Sequence, residues 1–259
     1  MSAPSLVGLP ADRILKTLRT YRQGPLLTVE LNVPEEGNAV TDAMLDDLLT
    51  VLDDHDPAVR VLVLAAAGDA FCLGGDRSEF PRHLADDPAG GGIRANGTKA
   101  LRVCEALTAH PAVTIARVQG RAVGAGVGLA LACDLRVGAD TATFRLPELA
   151  LGVPPAWGGL LPRLISEVGV ARVRELILTA RVFDAQEAHG LAVLQRVVPQ
   201  EELDDAVMAW AKPVLRRSAA ALRVTKAMLN SLTAATRLAD TSVFDPELLA
   251  AILTQQRAG

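Results

Sequence analysis

The spacing of apolar positions changes repeatedly along this chain, and each change predicts an element. Residues 26–31 (LLTVEL) read as a strand. After the turn VPEEGN, the segment 41–54 places Met44, Leu45, Leu48, Leu49 and Leu52 at helical spacing, with Thr41 as N-cap. The run VRVLVLAA at 59–66 is apolar without alternation and rich in β-branched residues, the pattern of a strand buried on both faces of a parallel sheet. A glycine-rich stretch, GDAFCLGGD, follows it directly. Residues 77–97 lose periodicity and are rich in Pro, Gly and Asp, which predicts a mobile loop flanking a site. A helix over 98–109, a strand over 112–118, a second glycine cluster (GRAVGAGVG) and an apolar helix through Cys133 form another β-loop-α unit. LRVGAD and ATFRLPEL are short strand candidates, 160–179 is helical, and the last stretch reads as helix after helix. Before residue 25 the pattern offers one helical turn around Ile14, so 1–24 is expected to be a poorly anchored lead-in.

This order describes an α/β protein: one catalytic β/α core over 1–183 and a helical C-terminal region over 184–259. No repeat of 20–50 residues is present, which excludes a solenoid. Composition narrows the class further. Half of the 259 residues are hydrophobic but only 3% are aromatic, so the core must be built from Ala, Val and Leu. With 26 Lys and Arg against 30 Asp and Glu, and no basic block, nucleic acid is not an expected partner. No apolar run reaches the roughly 18–20 residues of a membrane span, and the N-terminus lacks the apolar core of a signal peptide, so the expected location is cytoplasmic, with no membrane partner. Cys72, Cys104 and Cys133 are odd in number and widely spaced, and read as reduced core residues. No clustered His, Cys and Asp pattern points to a metal.

Both glycine clusters follow a strand and lead into a helix or loop. Their backbone N–H groups can therefore converge on one cavity at the carboxyl ends of the strands, where a helix starting near Ala125 adds the positive end of its dipole. A dinucleotide loop would need glycine at 129, where Leu129 stands.

Phe71-Cys72-Leu73-Gly74-Gly75-Asp76 resembles the first signature of the enoyl-CoA hydratase/isomerase (crotonase) family, and Gly120 to Gly126 with Ala132-Cys133-Asp134 resembles the second. LNVPEEGNAVTDAML, DPAVRVLVL, LPELALGVPP and AHGLAVLQRVVP also stand in family order, so the resemblance spans roughly residues 24–230. It implies a spiral of β-β-α units and an oxyanion hole of two backbone amides, assigned to Leu73 and Ala125. Such donors favour a thioester enolate by a few kcal/mol each, on the order of 3. It implies further that Gly74, Asp76, Arg77, Gly124 and Gly126 line the binding site of a thioester whose coenzyme A is part of the substrate, with no separate cofactor. Arg82 is a second candidate for its phosphates, while Asp76 and Asp134 read mainly as loop braces.

Hydratases of the family hold water between two glutamates. Here the first position is Gly128 and the second is Glu148. Syn addition of water asks for two carboxylates, whereas one suffices to move a proton between C2 and C4 across an enolate. The resemblance therefore implies isomerase- or hydratase-type chemistry with a single catalytic carboxylate, Glu148. The alternatives are a decarboxylase or dehydratase acting on a carrier-protein-bound acyl group, and a non-catalytic partner subunit. Leu146, Leu149, Leu151, Val153 and Trp157 predict an apolar surround that raises the pKa of Glu148; a surface salt bridge with Arg145 is the competing reading. His83, in the irregular loop, is either solvated or within reach of the acyl group, and His55, Asp240 and Asp245 are assigned no chemistry. The tail offers only Phe244 and Arg257 where relatives carry a late aromatic and basic cluster, which keeps an acyl-carrier-protein thioester open beside acyl-CoA. The family resemblance implies a homotrimer or a dimer of trimers, and Leu222, Val224, Met228, Leu229 and Leu232 could pack between subunits or within the chain.

Overall fold

A computed structural model describes residues 12–54, 56–236 and 241–258; His55, Asp240 and the first eleven residues lie outside them. The chain begins with β1 (Arg13–Ile14), β2 (Leu18–Gln23) and β3 (Leu26–Leu31), then α1 (Asp42–Asp53), β4 (Val61–Ala66), α2 (Glu79–Asp86) and α3 (Gly91–Ala109). Next come β5 (Val113–Val118), β6 (Arg121–Val123), α4 (Ala125–Leu131), β7 (Leu135–Ala139) and β8 (Thr143–Arg145). A 3-10 turn, Glu148–Leu151, precedes α5 (Leu160–Val168), α6 (Val170–Thr179), β9 (Val182–Asp184), α7 (Ala185–Gly190) and β10 (Arg196–Val198). The chain ends with α8 (Leu203–Leu215), α9 (Ala219–Thr236) and α10 (Asp245–Ala258).

The main sheet runs β1-β2-β3-β4-β5-β7-β10, parallel from β3 onward and antiparallel among the first three strands. All six residues of β4 are buried, as its unbroken apolar run requires of a central parallel strand. Burying a side chain such as Leu62 or Leu64 contributes roughly 1.5–3 kcal/mol. Met44, Leu45, Leu48 and Leu52 of α1 complete the same core, and the Thr41 hydroxyl accepts the Met44 N–H at 3.1 Å as the expected N-cap. A small sheet, β6-β8-β9, carries the second glycine cluster.

Three expectations are corrected. Residues 12–24 are not a loose lead-in: β2 pairs along its whole length with β3, and the buried Thr17 donates its N–H and hydroxyl to Asp47 at 2.8 and 2.7 Å. The irregular stretch 77–97 is largely helical, because α3 starts at Gly91 and its glycines admit close neighbours. A Cβ at Gly97 would stand 3.0 Å from the Pro246 backbone of α10, so helix packing dictates the composition that looked loop-like. The boundary at 184 falls inside β9. From there β10 extends the main sheet, and Ala185, Ala188, Leu194, Leu203 and Val207 enter the common core. Among the described residues no helix is long and apolar enough to cross a membrane.

Candidate active site

The two glycine clusters are joined by backbone. The Cys72 N–H donates to the Arg121 carbonyl at 3.1 Å and the Val123 N–H to the Cys72 carbonyl at 2.9 Å, a parallel bridge that lays the first loop against the second. A second bridge pairs Gly75 with Val40: the Gly74 carbonyl accepts from Val40 at 2.8 Å and the Asp76 N–H donates to Val40 at 2.9 Å. In a parallel bridge the flanking groups bond while the central residue's own N–H points the other way. The Gly75 N–H accordingly has no acceptor among the described residues. Ala125, first in α4, also keeps a free N–H, as the opening turn of any helix must.

Leu73 is different. Its N–H donates to the Gly37 carbonyl at 3.0 Å, and its side chain lies on Gly37, where an added Cβ would stand 2.4 Å from Leu73 Cδ1. An amide already engaged by backbone does not receive a substrate oxygen. The Leu73 amide, expected as one of two donors, is therefore spent on Gly37, and the amide of this loop left without an acceptor is that of Gly75, two residues on. The sequence shows which stretch is glycine-rich but not which of its amides the Val40 bridge leaves unspent.

Glu148 is delivered by the small sheet. Phe144 and Phe183 pair directly across β8 and β9 with ring centroids 5.4 Å apart, fixing the strand from which Pro147-Glu148 emerges. The carboxylate lies on Gly124. There φ is +49°, and an added Cβ would stand 2.8 Å from Glu148 Oε1, so glycine is required twice over. Oε2 is buried without a hydrogen-bond partner. Burial pushes the Glu148 pKa above the ordinary carboxylate range, with its own backbone N–H pulling weakly the other way. Arg145 does not pair with it: the Arg145 guanidinium donates to the Ala180 carbonyl at 2.8 Å.

Of the remaining candidates, Gly74 is buried at the seam of the loops, where an added Cβ would meet the Val123 carbonyl at 3.1 Å, and Gly126 packs on Cys72. Asp76 accepts the Ser78 N–H and hydroxyl at 2.8 and 2.9 Å, ahead of α2. Asp134 accepts from Thr114 and pairs with Lys226 at 2.7 Å; both aspartates brace backbone as expected. All three cysteines are free and buried, with their thiols pushed up to about 12 by burial. His83 is neither solvated nor in the glycine loops. It lies on α2, with Nε2 3.1 Å from Asp42 at the start of α1 and beside the carboxylate of Glu79; Arg82 pairs with Glu79, and Lys99 with Asp42.

Arg77 stands beside a groove of about 440 Å³ lined by Phe80, Leu84, Leu151, Val153 and Leu253. Leu151 ends the turn begun by Glu148, and the Val153 N–H donates to the Glu148 carbonyl at 2.9 Å, so an apolar groove with a cation beside it adjoins the segment that carries the carboxylate. A larger cavity of about 660 Å³, between β2–β5 and α8, meets the first glycine cluster only at its leading Gly68 and does not include Glu148.

The sequence matches the enoyl-CoA hydratase/isomerase family profile over residues 22–258. The chain belongs to this family. Like other members it has close relatives by sequence: a probable enoyl-CoA hydratase of Mycobacterium bovis is 34% identical over 83% of this chain and 81% of the relative. A crotonyl-CoA hydratase of Syntrophomonas wolfei is 35% identical over 81% and 79%. Among solved structures of the family, a putative enoyl-CoA hydratase from Thermobifida fusca in complex with CoA superposes with a TM-score of 0.78 at 33% identity, covering 93% of this chain and 94% of that one. An enoyl-CoA hydratase from Bacillus halodurans, at 24% identity and a TM-score of 0.86, confirms the crotonase-like fold.

Proposed function

We propose that this enzyme stabilises the enolate of an acyl-CoA thioester between the Gly75 and Ala125 amides, with Glu148 as the single proton carrier, and that its reaction is double-bond isomerisation. The observation that carries the reading is the juxtaposition of a buried, partnerless carboxylate oxygen with two unspent amides on loops tied to each other. Glu148 takes a proton from C2 of a 3-enoyl thioester and the electron pair moves onto the carbonyl oxygen. The same proton is then delivered to C4 as the double bond settles between C2 and C3. Each amide donor aimed at such an oxyanion lowers the barrier by about 2.7–4 kcal/mol. A carboxyl with a raised pKa takes and returns a proton near neutrality more readily than an ordinary one.

The CoA in the Thermobifida fusca complex and the names of the relatives support acyl-CoA as the substrate. The apolar faces left exposed on α9 (Val224, Met228, Leu229, Leu232) support assembly into a trimer. Isomerisation of 3-enoyl-CoA thioesters, followed by formation of the conjugated 2-enoyl product and run beside the same acyl groups on a carrier protein, tests the reading. Turnover with CoA esters is expected; turnover only on carrier-bound esters would favour the carrier-protein reading, and none with either would overturn both.

A further inference from the structure

Gly128 lies one turn beyond Gly124 on α4, joined to it by its N–H at 3.1 Å, which separates their Cα atoms by about 6 Å along the helix. The two glycines admit different visitors. Gly124 faces the Glu148 carboxylate, whereas a Cβ at Gly128 would stand 2.8 Å from Cε3 and Cζ3 of Trp157. The ring therefore occupies the space a side chain at 128 would need, on the rung next to the carboxylate. Its position is fixed from behind: the Leu160 N–H donates to the Trp157 carbonyl at 2.9 Å, the Gly159 N–H donates to Asp245 at 3.0 Å, and Gly158 packs against Cys104.

An indole ring face offers no lone pair to take a proton from water, and its one polar group is a donor. Water beside it can be neither activated nor oriented by acceptance, and addition of water to a double bond needs such a base. We propose that Trp157 is a specificity-determining residue: seated against Gly128, its ring keeps water from the proton-carrying end of Glu148, so the proton taken from substrate returns to substrate. This rests on the isomerase reading of Glu148. The C2–H bond breaks, the C4–H bond forms with the same proton, and no atom of water enters.

The test is turnover of a 3-enoyl-CoA in heavy water by the wild-type enzyme, Trp157→Phe and Trp157→Ala, with the deuterium content of the product read by mass spectrometry. The wild type is expected to return mostly protium. Trp157→Ala should at least double the deuterium per turnover, with Trp157→Phe between the two. Equal deuterium in wild type and Trp157→Ala, or a fully exchanged wild-type product, would overturn the proposal. A second arm needs no turnover: the carbon-13 titration of the Glu148 carboxyl, assigned by its loss in Glu148→Gln. Its midpoint should fall toward the ordinary carboxylate range in Trp157→Ala and in Trp157→Phe. An unmoved midpoint in the folded variants refutes the water-excluding role even if no thioester is turned over. Absence of turnover with a shifting midpoint instead refutes the isomerase reading and leaves the role of the ring standing.

Discussion

Replacing Glu148 by Gln separates chemistry from stability at one position. The side chain keeps its shape against Gly124 while losing the ability to accept and return a proton. General acid–base groups contribute about 10²- to 10⁴-fold to rate, which corresponds to roughly 3–5 kcal/mol of transition-state stabilisation. Stability should move the other way. Because burial raises the carboxyl's folded-state pKa above its unfolded value, the folded protein binds the extra proton, and stability falls as pH rises from the unfolded pKa through the folded one. Above that window the wild type carries a buried charge with a partnerless oxygen, a cost of about 1–3 kcal/mol for an unsatisfied group and more for a charged one. Glu148→Gln should therefore lose two to four orders of magnitude in 3-enoyl-CoA isomerisation while melting at or above the wild-type temperature at neutral pH. The gain should vanish at pH 4. Isomerisation within threefold of wild type, measured by formation of the conjugated product, would refute the proton-carrier assignment. A large drop in melting temperature at neutral pH would refute the claim that the carboxylate is held at a cost.

Gly124→Ala combines a φ of +49° with a contact at 2.8 Å on the carboxylate, so it should destabilise the fold by about 1–3 kcal/mol in thermal melts and slow isomerisation by displacing Glu148. Gly75→Pro deletes one proposed donor and should cost about 10²–10³ in turnover. Leu73→Ala trims a side chain whose backbone amide stays bonded to Gly37, and should stay within tenfold of wild type. Thr41→Ala removes the α1 cap and should cost about 1 kcal/mol by denaturant titration with turnover unchanged.

The central strand β4, the α1 stripe and the order of the glycine loops were legible because each is written in a local period: an unbroken β-branched run, a helical spacing with its cap, glycine after a strand. What was not legible depends on partners distant in sequence. Strand β2 carries Arg19, Tyr21, Arg22 and Gln23 and shows little alternation, and pairing with β3 along its whole length makes it a strand. The glycines of α3 look like loop residues until α10 and His83 are seen packed on them. The burial of Glu148 was readable from its apolar neighbours, whereas which amide, that of Leu73 or of Gly75, is left free turns on whether Gly37 or Val40 lies opposite, which no local pattern states.

A crystal structure with a bound acyl-CoA or a thioether analogue of it tests the central claim most directly. The account predicts the thioester oxygen within hydrogen-bond distance of both the Gly75 and Ala125 nitrogens, with a Glu148 oxygen over C2 and no water between Glu148 and the ring of Trp157. A carbonyl held elsewhere, with either amide turned toward protein backbone, would contradict it.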